Sequence, residues 1–162
     1  MSSNRGAAVA APFRVVERAR WSDVDAAGIV CYGAYLRFFE LAETELFRSL
    51  GLPAAEIRGR HGLWLVRRHV ECEFLRPVGL DEELEVFAFV TAVGRTSLGI
   101  DFLARRVGDR ALAAESRYTL VAVDGQSLQP VPLPAAVRDP CAAATIERED
   151  ARASLEPDEG ET

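Results

Sequence analysis

At 162 residues, 49% hydrophobic and 27% charged, the chain has the size and composition of one soluble domain with its own core. Its net charge of -6 is concentrated in residues 139–162, where eight acids face two arginines; the other 138 residues hold seventeen charges of each sign, too balanced for a nucleic-acid surface. All 19 basic residues are arginine, which excludes lysine Schiff-base chemistry and any lysine-dependent phosphate loop.

Residues 1–12 read as a flexible leader, too weakly apolar for a signal peptide. Phe13 to Arg20 is a short strand candidate, and Trp21 to Cys31 is irregular. A helix follows, because Tyr35, Leu36, Phe39, Ala42, Leu46 and Leu50 recur at spacings of three and four. Gly51 and Pro53 stop it. From Leu65 to Phe74 the pattern alternates, with Val66, Val70, Cys72 and Phe74 on one face and Arg67, His69, Glu71 and Glu73 on the other. Glu83 to Val93, Ser97 to Val107 and Ala111 to Val123 are further strands, separated by turn residues at Pro77 to Asp81, Gly94-Arg95, Gly108-Asp109 and Asp124-Gly125.

Long strands joined by tight turns imply an antiparallel sheet, with one face covered by the helix and the other left for a partner. The predicted fold is therefore α+β, a sheet wrapped around one long central helix; a hot-dog fold satisfies it, as do other helix-on-sheet folds. The domain is expected to span residues 13–138, ending after the Pro130 to Pro134 stretch, with 139–162 as an acidic, disordered tail. Cys31, Cys72 and Cys141 form no Cys-x-x-Cys pair, which fits a reducing cytoplasm rather than a disulfide framework. His61 and His69 lack the clustered carboxylates of a metal site, and no apolar run approaches the ~20 residues of a transmembrane helix.

The segment with chemistry in it is Arg20 to Arg48. It places Asp23 and Asp25 in a loop just before the helix, whose first turn carries unpaired N–H groups and a partial positive charge. An acyl carbonyl set there would have its developing oxyanion stabilised, and a nearby aspartate would stay ionised to attack or to activate water. Gly28 would let the backbone pass close to a substrate. An Asp ahead of a helix is most often a cap or turn residue, so the spacing alone leaves both readings open. Asp23 reads as ordering the loop through backbone hydrogen bonds, and Glu40 on the helix as a structural pairing residue or an alternative acid. Cys31 lacks a histidine nearby in sequence to activate it.

This segment resembles the signature of the 4-hydroxybenzoyl-CoA thioesterases and the Tol–Pal-associated acyl-CoA thioesterases. Asp23, Asp25, Gly28, Val30, Tyr32 and Tyr35, then Phe38, Glu40, Ala42, Glu45 and Arg48, stand in register with that pattern. The likeness continues more loosely through Phe74-Leu75-Arg76-Pro77, Thr96-Ser97 and Asp124 to Pro132. It implies a hot-dog fold and hydrolysis of an acyl- or aryl-CoA thioester without metal or cofactor, coenzyme A being part of the substrate. Asp25 would be the nucleophile or general base, and the Tyr32 backbone N–H would polarise the carbonyl. Gly28 and Val30 would line the site, with Arg95, Thr96 and Ser97 in a basic turn for the nucleotide end; Arg105 and Arg106 are alternatives for that end. Proteins of this kind are homo-oligomers, dimers or tetramers, with the active site between subunits. A non-catalytic acyl-CoA-binding protein, or an enzyme acting on an acyl-carrier-protein thioester, is the alternative.

Overall fold

A computed structural model describes residues 11–155, so the expected leader lies almost wholly outside the described residues. In chain order the elements are β1 (Phe13–Arg18), α1 (Tyr32–Ser49), α2 (Ala54–His61), β2 (Leu63–Phe74), β3 (Glu83–Val93), β4 (Ser97–Arg106), β5 (Leu112–Asp124), α3 (Ala135–Ala143) and α4 (Arg148–Ala153). The five strands make one antiparallel sheet in the order β1-β3-β4-β5-β2, so β1 and β2 are its edges. The sheet wraps α1 as predicted, and the architecture is the hot-dog fold.

The helix buries Tyr35, Phe38, Phe39, Ala42, Leu46 and Phe47, which meet the inner face of the sheet. An aromatic stack ties the layers: the ring of Phe39 lies 5.1 Å from that of Phe102, and Phe102 lies 4.8 Å from Tyr118. Burying rings of this size supplies much of the hydrophobic driving force. Leu36, placed on the apolar stripe by its spacing, is 48% exposed instead. It lies one residue off the buried row and faces the open side of the groove toward β2, where it lines a hollow with Val70.

Two local features were not legible in the pattern. The first is α2, which follows Pro53 directly and ends at Gly62, a left-handed cap with φ 62°. The second is a bulge in β2 between Arg67 and His69. An extra residue in one strand flips the alternation beyond it. Leu65 and Arg67 therefore turn toward the helix side before the bulge, and Val70, Cys72 and Phe74 do so after it. Arg67, expected outside, reaches Glu43 on α1 at 2.7 Å, while Val66 moves to the other face.

The expectation of a disordered tail over 139–162 is corrected for residues 139–155; residues 156–162 lie outside the described residues. Helix α3 runs through the expected boundary after residue 138, and α4 follows it. Thr145 bridges Val90, and the Ile146 N–H donates to the Val90 carbonyl at 2.9 Å, continuing the sheet past the end of β1. Ile146, Ala151 and Leu155 cover Phe87, Phe89 and Leu103 on the outer face. The tail's few cations, outnumbered in the sequence, are what fix it. Arg148 pairs with the buried Asp101 and, at 3.2 Å, with Glu115, which Arg152 also reaches at 3.4 Å. Both faces of β3 are thus buried within the chain, and the outer face is not simply left for a partner. Replacing Ile146 by Ala is expected to cost about 2 kcal/mol by opening a cavity over Phe87 and Phe89; urea unfolding measures it, and an unchanged midpoint would mean the segment contributes no packing.

Candidate active site

The loop from Arg20 to Cys31 is fixed by Asp23, whose side chain is buried. Its Oδ2 accepts the Arg20 N–H at 2.8 Å and Arg37 Nη2 at 2.7 Å, and its Oδ1 accepts Arg37 Nε at 3.2 Å. Asp23 orders the loop, as its sequence reading has it, and the two-pronged bond to Arg37 locks that loop to α1 as well. The neighbouring backbone forms a small closed turn. Val24 bridges Val30, the Asp25 N–H donates to the Ile29 carbonyl at 2.9 Å, and the Gly28 N–H donates to the Asp25 carbonyl at 3.0 Å.

Asp25 sits at the start of this turn and is exposed. Its Oδ1 accepts the Ala27 N–H at 2.8 Å, which holds the carboxylate in one orientation. Gly28 has φ +76°, a left-handed conformation that the turn needs and that glycine adopts without strain. A Cβ there would meet no atom of the chain within 4 Å, so within the chain it is the backbone conformation that calls for glycine.

Helix α1 opens two residues after Val30, whose N–H donates to the Val78 carbonyl at 2.8 Å. Cys31 is the N-cap but makes no side-chain cap bond. Among the described residues, the N–H groups of Tyr32 and Gly33 have no acceptor, while that of Ala34 turns back to the Cys31 carbonyl at 3.0 Å. Two free donors therefore stand at the positive end of an 18-residue helix.

Asp25, Ile29, Val30, Tyr32 and Tyr35 line one side of a cleft of about 340 Å³, and Phe74-Leu75-Arg76-Pro77 line the other. Arg76 brings a cation to it. The Phe74 to Pro77 wall was visible in the sequence only as a loose likeness, with no role attached. Tyr35, read as core, has its ring 5.2 Å from that of Phe74, and burial pushes its phenol up to about 12. It remains a neutral hydroxyl at working pH, unsuited to act as a base.

Arg95, Thr96 and Ser97 do not join this cleft. Their turn is tied down by the Leu133 N–H to the Arg95 carbonyl and the Ala122 N–H to the Thr96 carbonyl, both at 2.8 Å. The Asp25 loop adjoins the start of β3 near Glu82, and the Arg95 turn follows its end at Val93; ten strand steps separate the two by roughly 33 Å. Arg105 is committed elsewhere, buried against Glu85 and donating to the Leu155 carbonyl. Arg106 pairs with Asp109 and donates to the Pro77 carbonyl at 2.9 Å. Neither is free for a nucleotide. Among the described residues, no three His, Cys, Asp or Glu side chains gather to hold a metal ion.

Farther along α1, the sequence reading attached a role to Glu40 but none to Glu43. Glu40 makes no ion pair among the described residues; Glu43 is buried and takes the Arg67 pair. Desolvation, opposed by Arg67 and aided by the charge of Glu40, pushes the Glu43 carboxyl up from 4.5 to about 7. A carboxyl harder to ionise in the fold than in the unfolded chain makes stability fall as pH rises from 4.5 through 7. We expect Glu43→Gln to gain up to about 3 kcal/mol relative to the natural chain between pH 5 and pH 8.5. Denaturant titrations at the two pH values measure this, and a pH-independent difference would contradict it.

A five-stranded antiparallel sheet wrapped around one helix is the hot-dog fold, and the family and relatives that the chain matches make it a thioester hydrolase of that fold. The chain belongs to the thioesterase-like superfamily, which residues 19–140 match. It is similar to the acyl-CoA thioester hydrolase YbgC of Escherichia coli, 30% identical over 126 residues that cover 77% of this chain and 92% of that one. It also resembles the 1,4-dihydroxy-2-naphthoyl-CoA hydrolase of Synechococcus elongatus, 26% identical over 74% of this chain and 88% of that protein. Among solved structures, a hypothetical protein from Aquifex aeolicus superposes with a TM-score of 0.74 at 26% identity, over 80% of this chain and 99% of that one.

Proposed function

We propose that the chain hydrolyses acyl-CoA thioesters to the free acid and coenzyme A in the Asp25 cleft. The observation that carries the reading is that Asp25 and the unpaired Tyr32 N–H share one wall of that cleft. The thioester carbonyl rests at the start of α1, where the N–H groups of Tyr32 and Gly33 take up the charge that develops on its oxygen. If Asp25 attacks the acyl carbon, the C–S bond breaks to leave an acyl–Asp25 anhydride, which water then opens to the free acid and the regenerated carboxylate; if Asp25 instead draws a proton from water, that water attacks the acyl carbon and the C–S bond breaks directly. In both routes the electron pair leaves on the CoA sulfur, and a proton from the consumed water ends on the thiol. Val30, Phe74 and Leu75 bound the acyl side of the cleft. No metal or cofactor enters these steps. The names of the relatives support a CoA ester as substrate.

The working unit in this reading is a homo-oligomer built on dimers, and a tetramer is a dimer of these. Edge strand β2 is long and exposes Val66, Val70 and Phe74, with Leu36 beside it. Such an edge invites pairing with its own copy across a two-fold axis. Antiparallel pairing of two β2 edges reverses one protomer, bringing the far end of one sheet toward the Asp25 end of the other. The Arg95 turn of one copy then adds a second cation, besides Arg76, for the nucleotide end. The three cysteines form no disulfide, in keeping with a cytoplasmic setting. Incubation with aryl-, short-, medium- and long-chain CoA esters, followed by mass spectrometry, tests the reaction. Acid and CoA in equal amounts are expected; tight binding of the esters without product would make this a CoA-ester-binding protein.

A further inference from the structure

The steps above leave unused a second cleft, of about 310 Å³, at the far half of α1 beneath α2. Phe47, Leu52, Ile57 and Leu63 make its apolar wall, and all four are buried. Trp64 also lines it, with the Arg58 guanidinium 4.5 Å from its ring. A cleft of that size lies at the small end of ligand sites, and its composition suits them: mostly apolar, with few convergent polar groups.

The charged side chains are Glu40, Glu43 and Arg67, and Thr44 adds a hydroxyl. Glu43 Oε1 accepts Arg67 Nη2 at 2.7 Å, whereas Oε2 is buried with no hydrogen-bond partner among the described residues. An unsatisfied buried acceptor is uncommon and calls for a donor. Above pH 7, where Glu43 is ionised, two carboxylates against one guanidinium give the cleft a negative excess, so it turns away a carboxylate or phosphate. An ammonium would have to enter beside Arg67, which repels it. A neutral hydroxyl carried on an apolar chain meets both the wall and the free oxygen.

A smaller hollow lined by Leu36, Glu40, Arg67, Val70 and Tyr118 shares Glu40 and Arg67 with this cleft and extends it along α1 and β2 in the direction of the Asp25 cleft. Tyr32 and Glu43 are eleven residues apart on one helix, about 16 Å along its axis. We propose that the cleft under α2 receives the distal end of the acyl group, and that Glu43, held by Arg67, accepts a hydrogen bond from a hydroxyl there, so that hydroxylated chains are preferred. The acyl assignment rests on the thioesterase reading; the hydroxyl site does not.

Two measurements test this on the full chain. The chain has two tryptophans, and Trp21→Phe leaves Trp64 as the sole tryptophan, which is excited apart from the three tyrosines. Titrating 1-octanol against its methyl ether, which lacks the donor, is expected to show octanol bound at least about tenfold more tightly, the scale of a hydrogen bond to a charged group. That gap collapses in Glu43→Leu, and narrows in Glu43→Gln, which keeps an acceptor for Arg67 and serves should the leucine variant fail to fold. In kinetics, kcat/KM for 12-hydroxydodecanoyl-CoA exceeds that for dodecanoyl-CoA by a similar factor, and the preference is lost in the same variants. Equal binding of alcohol and ether, a gap untouched by the Glu43 variants, or equal kcat/KM for the two esters overturns the proposal. If neither ester is cleaved while octanol binds through Glu43, the thioesterase reading falls and the hydroxyl site stands.

Discussion

Replacing Asp25 by Asn is expected to lower turnover of any CoA ester at least about 100-fold while the unfolding midpoint barely moves. The size follows from the role: removing an acid–base or nucleophilic group costs roughly two to four orders of magnitude. The small effect on stability follows from geometry. Asp25 is exposed, its side chain makes one hydrogen bond among the described residues, from the Ala27 N–H at 2.8 Å, and an asparagine oxygen accepts that bond equally well. The substrate is held by the walls of the cleft, so KM should change far less than kcat. A variant that loses binding and turnover together would place Asp25 among the residues that hold the ester rather than those that act on it.

Asp23→Ala is expected to be the more damaging change to the fold. The Asp23 side chain is 4% exposed and accepts three hydrogen bonds, two of them from Arg37. Removing it leaves the Arg37 guanidinium with only the longer ion pair to Glu17, at 3.9 Å, and frees the Arg20 N–H in one step. Breaking a buried ion pair from one side typically costs about 3–5 kcal/mol, and the 40% exposure of the Arg37 side chain favours the lower figure. Activity should fall with stability, because the same carboxylate fixes the loop that carries Asp25. Urea unfolding and turnover of the same preparation check both, and Asp23→Asn, which retains an acceptor for the Arg20 N–H, should fall between. A stability loss under about 1 kcal/mol would mean the loop is held elsewhere.

Much of the fold was legible because its signals are local. The spacing of Phe39, Ala42 and Leu46 marks the helix, alternation marks the strands, and Gly94-Arg95 and Gly108-Asp109 mark the hairpins. What escaped depends on tertiary context. The β2 bulge is one residue in a run that alternates on both sides of it, so Arg67 reads as outward until its neighbours are placed. The C-terminal helices lie in an acidic segment whose average charge suggests disorder. Their order comes from single pairings, such as Arg148 with Asp101, that composition averages away. The candidate site divides in the same manner. Asp25, Val30 and Tyr32 are close in sequence and come together in one cleft. The Phe74 to Pro77 wall arrives from a strand more than forty residues away, and the Arg95 turn lies at the opposite end of the sheet from them. Glu43 belongs to no motif; burial beside Arg67 is what sets it apart.

The most direct test of the central claim is the initial rate of free-thiol release from a panel of aryl- and alkyl-CoA esters, run side by side with the natural chain and Asp25→Asn. The account predicts turnover on at least one class of ester and its loss by two orders of magnitude or more in the variant. Equal rates in both proteins would remove Asp25 from the chemistry, and no thiol from any ester would contradict hydrolysis of CoA thioesters altogether.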